Sequence, residues 1–249
     1  MIITSKNNPL IKETAALKDK KARKQLGLFL VEGVKMTREA LKSGLSVERV
    51  FVAESYEGAA DFPTEKTVRV SDDVFRFLSD EKTPQGVLCR VEIPKRALRP
   101  PQASCLFLDG VSDPANVGAI IRTANAAGYG EIYLTPNCAD PYSPKSVRSS
   151  MSGVFFTRLY TAERTEILTA LANTPLLVAD MQGENVFTYS PPEKFALAIG
   201  NEANGISEET FSAAQSVVKI PMQETQESLN AAVSAGILMY LLKKNNFQK

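Results

Sequence analysis

The stretch CLFLDGVSDPANVGAIIRTANAAGYGEIYLT (Cys105–Thr135) decides the reading of the chain. A continuous apolar run, CLFLDG, ends on aspartate and glycine. An apolar-periodic stretch, PANVGAIIRTANAAG, follows, and EIYLT closes it. That pattern predicts strand, helix and strand, the unit of a parallel sheet buried on both faces. Asp113-Pro114 marks the helix entry. Downstream, RTEILTALAN reads as a helix, and PLLVADM, FALAIGNE and SVVKIPM read as strands. A final helix starts near Leu229. Strands alternating with helices indicate an α/β sheet covered on both sides.

Upstream of this unit the style changes. PKRALRPPQAS (94–104) combines proline and charge without periodicity and reads as a linker. Before it, SKNNPLIKETAALKDKKARKQLG reads as one helix and LFLVEG as a strand. VKMTREALKSG reads as an amphipathic helix closed by Gly44. VERVFVA, TVRVS and PQGVLCRVEI read as strands, and DDVFRFLSD as a short helix opened by Ser71. The 249 residues therefore divide into a small α/β domain, 1–97, and a larger parallel α/β domain, 104–249.

Composition removes several classes of chemistry. The sequence has no histidine, which excludes Ser-His-Asp and Cys-His catalysis and every histidine-ligated metal site. Its three cysteines, Cys89, Cys105 and Cys138, are scattered and lack a CxxC pattern, as suits a reducing cytosol. The longest apolar run, Ala231 to Leu242, is shorter than the roughly 18 residues of a membrane span. Net charge is +1, yet residues 1–24 carry seven basic side chains against Glu13 and Asp19. That excess is either a local anion-binding surface or a solvated helix face. GxxxxGK[ST] is absent, and no GxGxxG follows a strand, so neither a P-loop nor a dinucleotide fingerprint is present.

In the second half, three buried strands each run into a polar loop bearing glycine or proline, and such loops converge at the carboxyl ends of an open α/β sheet. The first loop places Asn116 in the first helical turn and Arg122 six residues on. Ile120, Ile121 and Ala124 flank Arg122, which predicts a partly buried guanidinium needing a carboxylate or phosphate. The second, IGNEANGIS (199–207), sets Glu202 at a strand end between Gly200 and Gly205. The third, IPMQETQESLN (220–230), leads into the last helix. There Ser228 suits an N-cap, while Asn230 in a first turn has poor helix propensity and asks for another role.

In order and context, these three motifs resemble the SpoU (TrmH-like) family of SPOUT RNA methyltransferases. ITSKNNPLIK (3–12), KKARKQLGLFLVEG (20–33) and TPQGVL (83–88) are similar to the substrate-binding domain of its ribosomal-RNA members. The resemblance implies an L30e-like α/β N-terminal domain and a parallel-sheet α/β C-terminal domain tied in a deep trefoil knot. It implies methyl transfer from S-adenosylmethionine, without a metal, to an RNA ribose 2′-hydroxyl in a cytoplasmic homodimer. Ribosomal RNA stands ahead of tRNA as the target, and an RNA-binding module of the same fold without catalysis is the other class. Asn116, Arg122, Glu202, Ser228 and Asn230 carry over as catalytic positions, and Gly200, Ile220, Met222 and Leu229 as donor contacts. Lys18, Lys20, Lys21, Arg23 and Lys24 are the expected RNA contacts. The motif-one arginine is the family's base; a guanidinium stays protonated, so Arg122 also suits a phosphate clamp, with Glu202 orienting it or joining the proton path. Two positions depart from the family pattern: Glu224 and Ser152 stand where glycine is usual, with Gly153 following the latter.

Overall fold

A computed structural model describes residues 2–243. In chain order the elements are β1 (Ile2–Ile3), α1 (Pro9–Ala16), α2 (Lys20–Leu26), β2 (Leu28–Glu32), α3 (Val34–Lys42), β3 (Val47–Ala53), β4 (Thr67–Val70), α4 (Asp72–Leu78) and β5 (Val87–Glu92). There follow β6 (Cys105–Asp109), α5 (Pro114–Ala126), β7 (Glu131–Leu134), α6 (Pro144–Ser150), α7 (Gly153–Phe156), β8 (Arg158–Thr161) and α8 (Arg164–Leu171). The chain ends with β9 (Leu176–Asn185), β10 (Ala196–Gly200), α9 (Glu208–Ser212), β11 (Ser216–Lys219) and α10 (Ala231–Leu242).

The chain divides into two compact units, 1–95 with 140–155, and 96–139 with 156–249. This differs from a linear split in one respect: 140–155 packs within the first unit. In that unit the sheet runs β1-β4-β3-β5-β2, with β2 and β3 both antiparallel to β5. Its core gathers Ile11, Leu17, Phe51, Val74, Phe75 and Leu88. In the second unit the order is β11-β9-β10-β6-β7-β8, parallel throughout. The continuous apolar runs read from CLFLDG and EIYLT are β6 and β7, every residue of which is buried. The strand β8 and the helices α6, α7 and α9 had no periodic signal long enough to announce them.

The N-terminal helix expected as one piece is two. Between α1 and α2, Arg23 turns back and its Nη1 donates to the carbonyls of Leu17 and Lys18 at 2.8 and 2.7 Å. Those carbonyls, stranded by the break, are thereby satisfied. Nε and Nη2 of the same guanidinium donate to Asp140 at 2.9 and 2.6 Å, tying 140–155 into the unit. Arg23 is 3% exposed. It is a structural residue, which corrects its place among the expected phosphate contacts: four of its five N–H donors are taken and its burial keeps it from RNA. Lys18 is also engaged, its ammonium donating to the carbonyls of Phe77 and Ser79. Lys20, Lys21 and Lys24 are exposed.

Removing one partner of an enclosed ion pair leaves the other uncompensated, at a cost of about 3–5 kcal/mol. Arg23→Met is therefore expected to lower unfolding stability by about that amount. Lys21→Gln, two residues away and exposed, should stay within about 0.5 kcal/mol of the parent in the same urea titration.

Candidate functional site

The three loops of the second unit meet where the sequence placed them, beyond the carboxyl ends of β6, β10 and β11. The first is set by Gly110, whose φ of +84° lies where L side chains are strained, and where a Cβ would stand 2.9 Å from Asn137 Nδ2. Asp113 then caps α5, its Oδ1 accepting from the Ala115 amide at 2.6 Å, and Pro114 fills the first helical position. Asn116 lies in the first turn.

The second loop is a closed knuckle. Asn201 and Gly205 exchange backbone hydrogen bonds of 2.8 and 2.9 Å. Asn201 Oδ1 accepts from the Ala203 and Asn204 amides, and its Nδ2 donates to the Gly110 carbonyl at 2.8 Å. Gly200 lies so close under this knuckle that a Cβ would come within 2.3 Å of the Gly205 backbone. Behind it, buried Asp109 accepts from Ser207 through both amide and hydroxyl and from Arg164. Burial works to raise the Asp109 pKa, but the bonds from Ser207, Thr210 and Arg164 outweigh it and hold it below the ordinary value.

Glu202, at the tip of the knuckle, joins the loops. Its Oε2 accepts from the Ser112 amide at 3.0 Å and hydroxyl at 2.9 Å. Its Oε1 accepts from the Asp113 amide at 3.2 Å and from Asn116 Nδ2 at 2.9 Å. Asn116 Oδ1 in turn accepts from Asn230 Nδ2 at 2.9 Å. Asn230 Oδ1 accepts from the Ala232 and Val233 amides, capping α10. A directed chain of hydrogen bonds thus runs from the start of α10 through two side-chain amides to a carboxylate at the start of α5, where the helix dipole favours negative charge. Partial desolvation of Glu202 works to raise its pKa; the donors, Asn116 and the Ser112 amide foremost, outweigh it and lower the value from 4.5 to about 2.

Three expectations change here. The cap of α10 is Asn230, not Ser228: the helix begins two residues later than expected, and Asn230 both caps it and bonds Asn116. Ser228 lines the cavity instead. Arg122 is exposed rather than partly buried, and among the described residues its side chain has no hydrogen bond or ion pair. Six residues turn an α-helix through about 600°, so Arg122 leaves α5 on a different face from Asn116. Nor is Arg122 the partner of Glu202, whose bonds go elsewhere.

Under the knuckle lies a cavity of about 590 Å³. Gly200, Ile220, Met222 and Leu229, read as donor contacts, all line it, together with Glu202, Ser228 and Asn230. Asp180, Ser234 and Leu238 line it too and carried no sequence signal: Asp180 lies inside the strand read from PLLVADM, and the other two sit on apolar-periodic turns of α10. Glu224 is exposed and does not line it. At the other departure, neither Ser152 nor Gly153 takes a positive φ; Met151 does, at +49°.

Comparison with known proteins gives the family of both parts of the chain. Residues 103–240 match the SpoU rRNA Methylase family model, and residues 8–89 match an MRM3-like substrate binding domain. The chain is 30% identical to the 23S rRNA (guanosine(2553)-2′-O)-methyltransferase RlmP of Bacillus subtilis, across 97% of this chain and 98% of that protein. An AdoMet-bound rRNA methyltransferase from Sinorhizobium meliloti superposes with a TM-score of 0.89 at 28% identity, over 98% of both chains. The SpoU methyltransferase AviRb from Streptomyces viridochromogenes, in complex with AdoMet, superposes with a TM-score of 0.87 at 27% identity, over 97% of this chain and 99% of that one.

A folded-state pKa of about 2 against an ordinary 4.5 makes Glu202 a source of stability that is fully present above pH 4.5 and lost as pH falls through 2. Glu202→Gln removes that titration. Acid titration of unfolding stability is expected to fall less steeply in the variant than in the parent across this window; parallel curves would mean that the carboxylate bonds are not formed.

Proposed function

The chain belongs to the SpoU rRNA Methylase family, and from that premise we propose that it transfers the methyl group of S-adenosylmethionine to a ribose 2′-hydroxyl of 23S ribosomal RNA. The single observation that carries this is the Asn230–Asn116–Glu202 chain standing over a cavity lined by Gly200, Ile220, Met222 and Leu229.

The cavity suits the donor. Gly200 leaves its wall bare of a side chain, so a ligand there meets backbone. Ile199, Ile220, Leu229 and Leu238 offer apolar surface for an adenine ring. Asp180, Asn230 and Ser234 offer polar groups for its ribose and amino-acid ends. Bound there, S-adenosylmethionine supplies an electrophilic methyl on a sulfonium leaving group. What remains for the protein is alignment, worth roughly 7–11 kcal/mol of barrier at best, and management of charge on the attacking oxygen.

Glu202, with a pKa of about 2, is anionic at neutral pH and a weak base, so its role is to position Asn116 and the α5 entry. Arg122, permanently cationic and unpartnered within the described residues, is the group free to clamp an RNA phosphate and stabilise developing alkoxide charge. Asn116 and Asn230 fix the loops between which the ribose must enter. The exposed Lys20, Lys21 and Lys24 of the other unit are the remaining candidates for phosphate contacts, each adding to the salt dependence of RNA binding.

Family kinship supports three further readings: an L30e-like N-terminal domain, a trefoil knot in the C-terminal one, and a cytoplasmic homodimer. The exposed Val233 and Tyr240 of the apolar helix α10 are consistent with a subunit interface.

The test is transfer of labelled methyl to unmodified 23S ribosomal RNA, with the product mapped by resistance of one phosphodiester to alkali. Parent protein is expected to protect a single position. Arg122→Lys keeps the charge but not the two-pronged donor geometry. It should lose transfer at least about tenfold, the effect of ~1.4 kcal/mol, with donor affinity unchanged. Base methylation, or near-parent turnover of Arg122→Lys, would refute the respective assignment.

A further inference from the structure

The motifs LVEG (30–33) and TPQGVL (83–88) take no part in the donor site. In the first unit they lie together across the β2–β5 pair, with Glu32 in register with Leu88. The Gly33 amide donates to the Val87 carbonyl at 2.8 Å. Gly33 has a φ of +107°, and a Cβ there would stand 3.3 Å from Gln85 Oε1. That oxygen accepts from the Val34 amide at 3.1 Å. The bond fixes the Gln85 amide and leaves Nε2 as its outward donor. Glu32 is fixed as well, its carboxylate accepting from the Ser79 hydroxyl and from the Asp80 amide at 3.0 Å.

Between these motifs and helix α6 lies a cavity of about 320 Å³. Leu30, Met36, Leu78, Leu88, Val147 and Met151 form its apolar walls. Glu32, Asp80, Glu81, Lys35, Arg148 and Gln85 form its polar margin. Arg148 is already held by Asp80 and Glu81. Met151, the one non-glycine with positive φ among the described residues, belongs to this wall.

We propose that this cavity receives a single unstacked nucleobase of the substrate RNA, one that carries an exocyclic amine. Four features point to that occupant. The volume is at the low end for ligand pockets, which run from about 300 Å³ upward, and so admits one ring system rather than a stack. Two methionines among branched side chains give flat, polarisable surfaces that suit a ring face. Three carboxylates against two cations at the margin repel phosphate yet accept from an amine edge, as Glu and Asp do from an exocyclic amino group. Ten of the lining residues come from the stretch that matches a substrate-binding domain model. Sequence-specific RNA recognition mostly takes splayed single-stranded bases in this manner. The inference rests on the proposed reading of the protein as an RNA enzyme.

The experiment uses the full-length protein and single-stranded RNA 12-mers of equal charge: oligo(A), oligo(C), oligo(U) and an abasic ribose-phosphate chain. Affinities are measured at one salt concentration, with S-adenosylmethionine binding as the control for folding. Oligo(A) or oligo(C) should bind at least about tenfold tighter than the abasic chain, with oligo(U) weaker than either. Gln85→Ala, an exposed change, should reduce that preference. Met36→Trp, which fills the cavity, should abolish it, and both variants should keep parent affinity for the abasic chain and for S-adenosylmethionine. Equal binding of all four RNAs by the parent would overturn the proposal while leaving the RNA reading intact. So would a base preference that survives both substitutions. Donor binding without binding of any RNA would overturn the proposal together with the RNA reading on which it rests.

Discussion

The Glu202 carboxylate is where the second unit is held together at its working end. Ser112, Asp113 and Asn116 donate to it from the entry of α5, and through Asn116 it is linked to Asn230 at the entry of α10. Two helix starts, each with backbone amides that need acceptors, are thereby tied to one strand end. Neighbouring constraints lead to the same point. Gly200 must lack a side chain so that the knuckle can fold over it, and Asp109 must stay ionised so that Ser207 and Arg164 remain attached behind it. The cavity below is bounded by the second and third loops and the end of β9, and the first loop reaches it through the bonds of Asn116 to Glu202 and Asn230, so its shape depends on whether these bonds hold.

The proposed catalysis without histidine rests on the same arrangement. A carboxylate with a pKa of about 2 is a poor proton acceptor but a good fixed acceptor of hydrogen bonds. In the proposed mechanism the site works by positioning groups and by supplying one exposed positive charge, Arg122, rather than by a tuned acid–base pair. The buried thiols fit this picture as packing groups: desolvation pushes Cys89 up to about 12, far from thiolate chemistry at neutral pH.

Much of the fold was legible in the sequence because the signals were local. Continuous apolar runs gave β6, β7 and β10, Asp113-Pro114 gave the entry of α5, and the flanking glycines marked the turn that carries Glu202. What was not legible depended on partners far along the chain. The break between α1 and α2 is stabilised by Arg23 reaching Asp140, 117 residues away. The membership of 140–155 in the first unit rests on that pair and on the packing of Tyr142 against Phe29. Asn230 illustrates the same limit at the site. Its propensity said that it was out of place inside a helix, but only the position of Asn116 shows that one amide both caps α10 and bonds its neighbour. Arg122 was misread because flanking isoleucines describe the helix, not the face from which a side chain at that position emerges.

The central claim is that Asn116 and Glu202 act as one unit in shaping the donor cavity. A double-mutant cycle on S-adenosylmethionine affinity tests it directly, using Asn116→Ala, Glu202→Gln and the combined variant in calorimetric titrations. Coupled groups show interaction energies of about 0.5–3 kcal/mol. Each single substitution is predicted to weaken donor binding, and the double to bind no more weakly than the worse single. Losses that add in full, or single variants that bind the donor as tightly as the parent, would contradict the account.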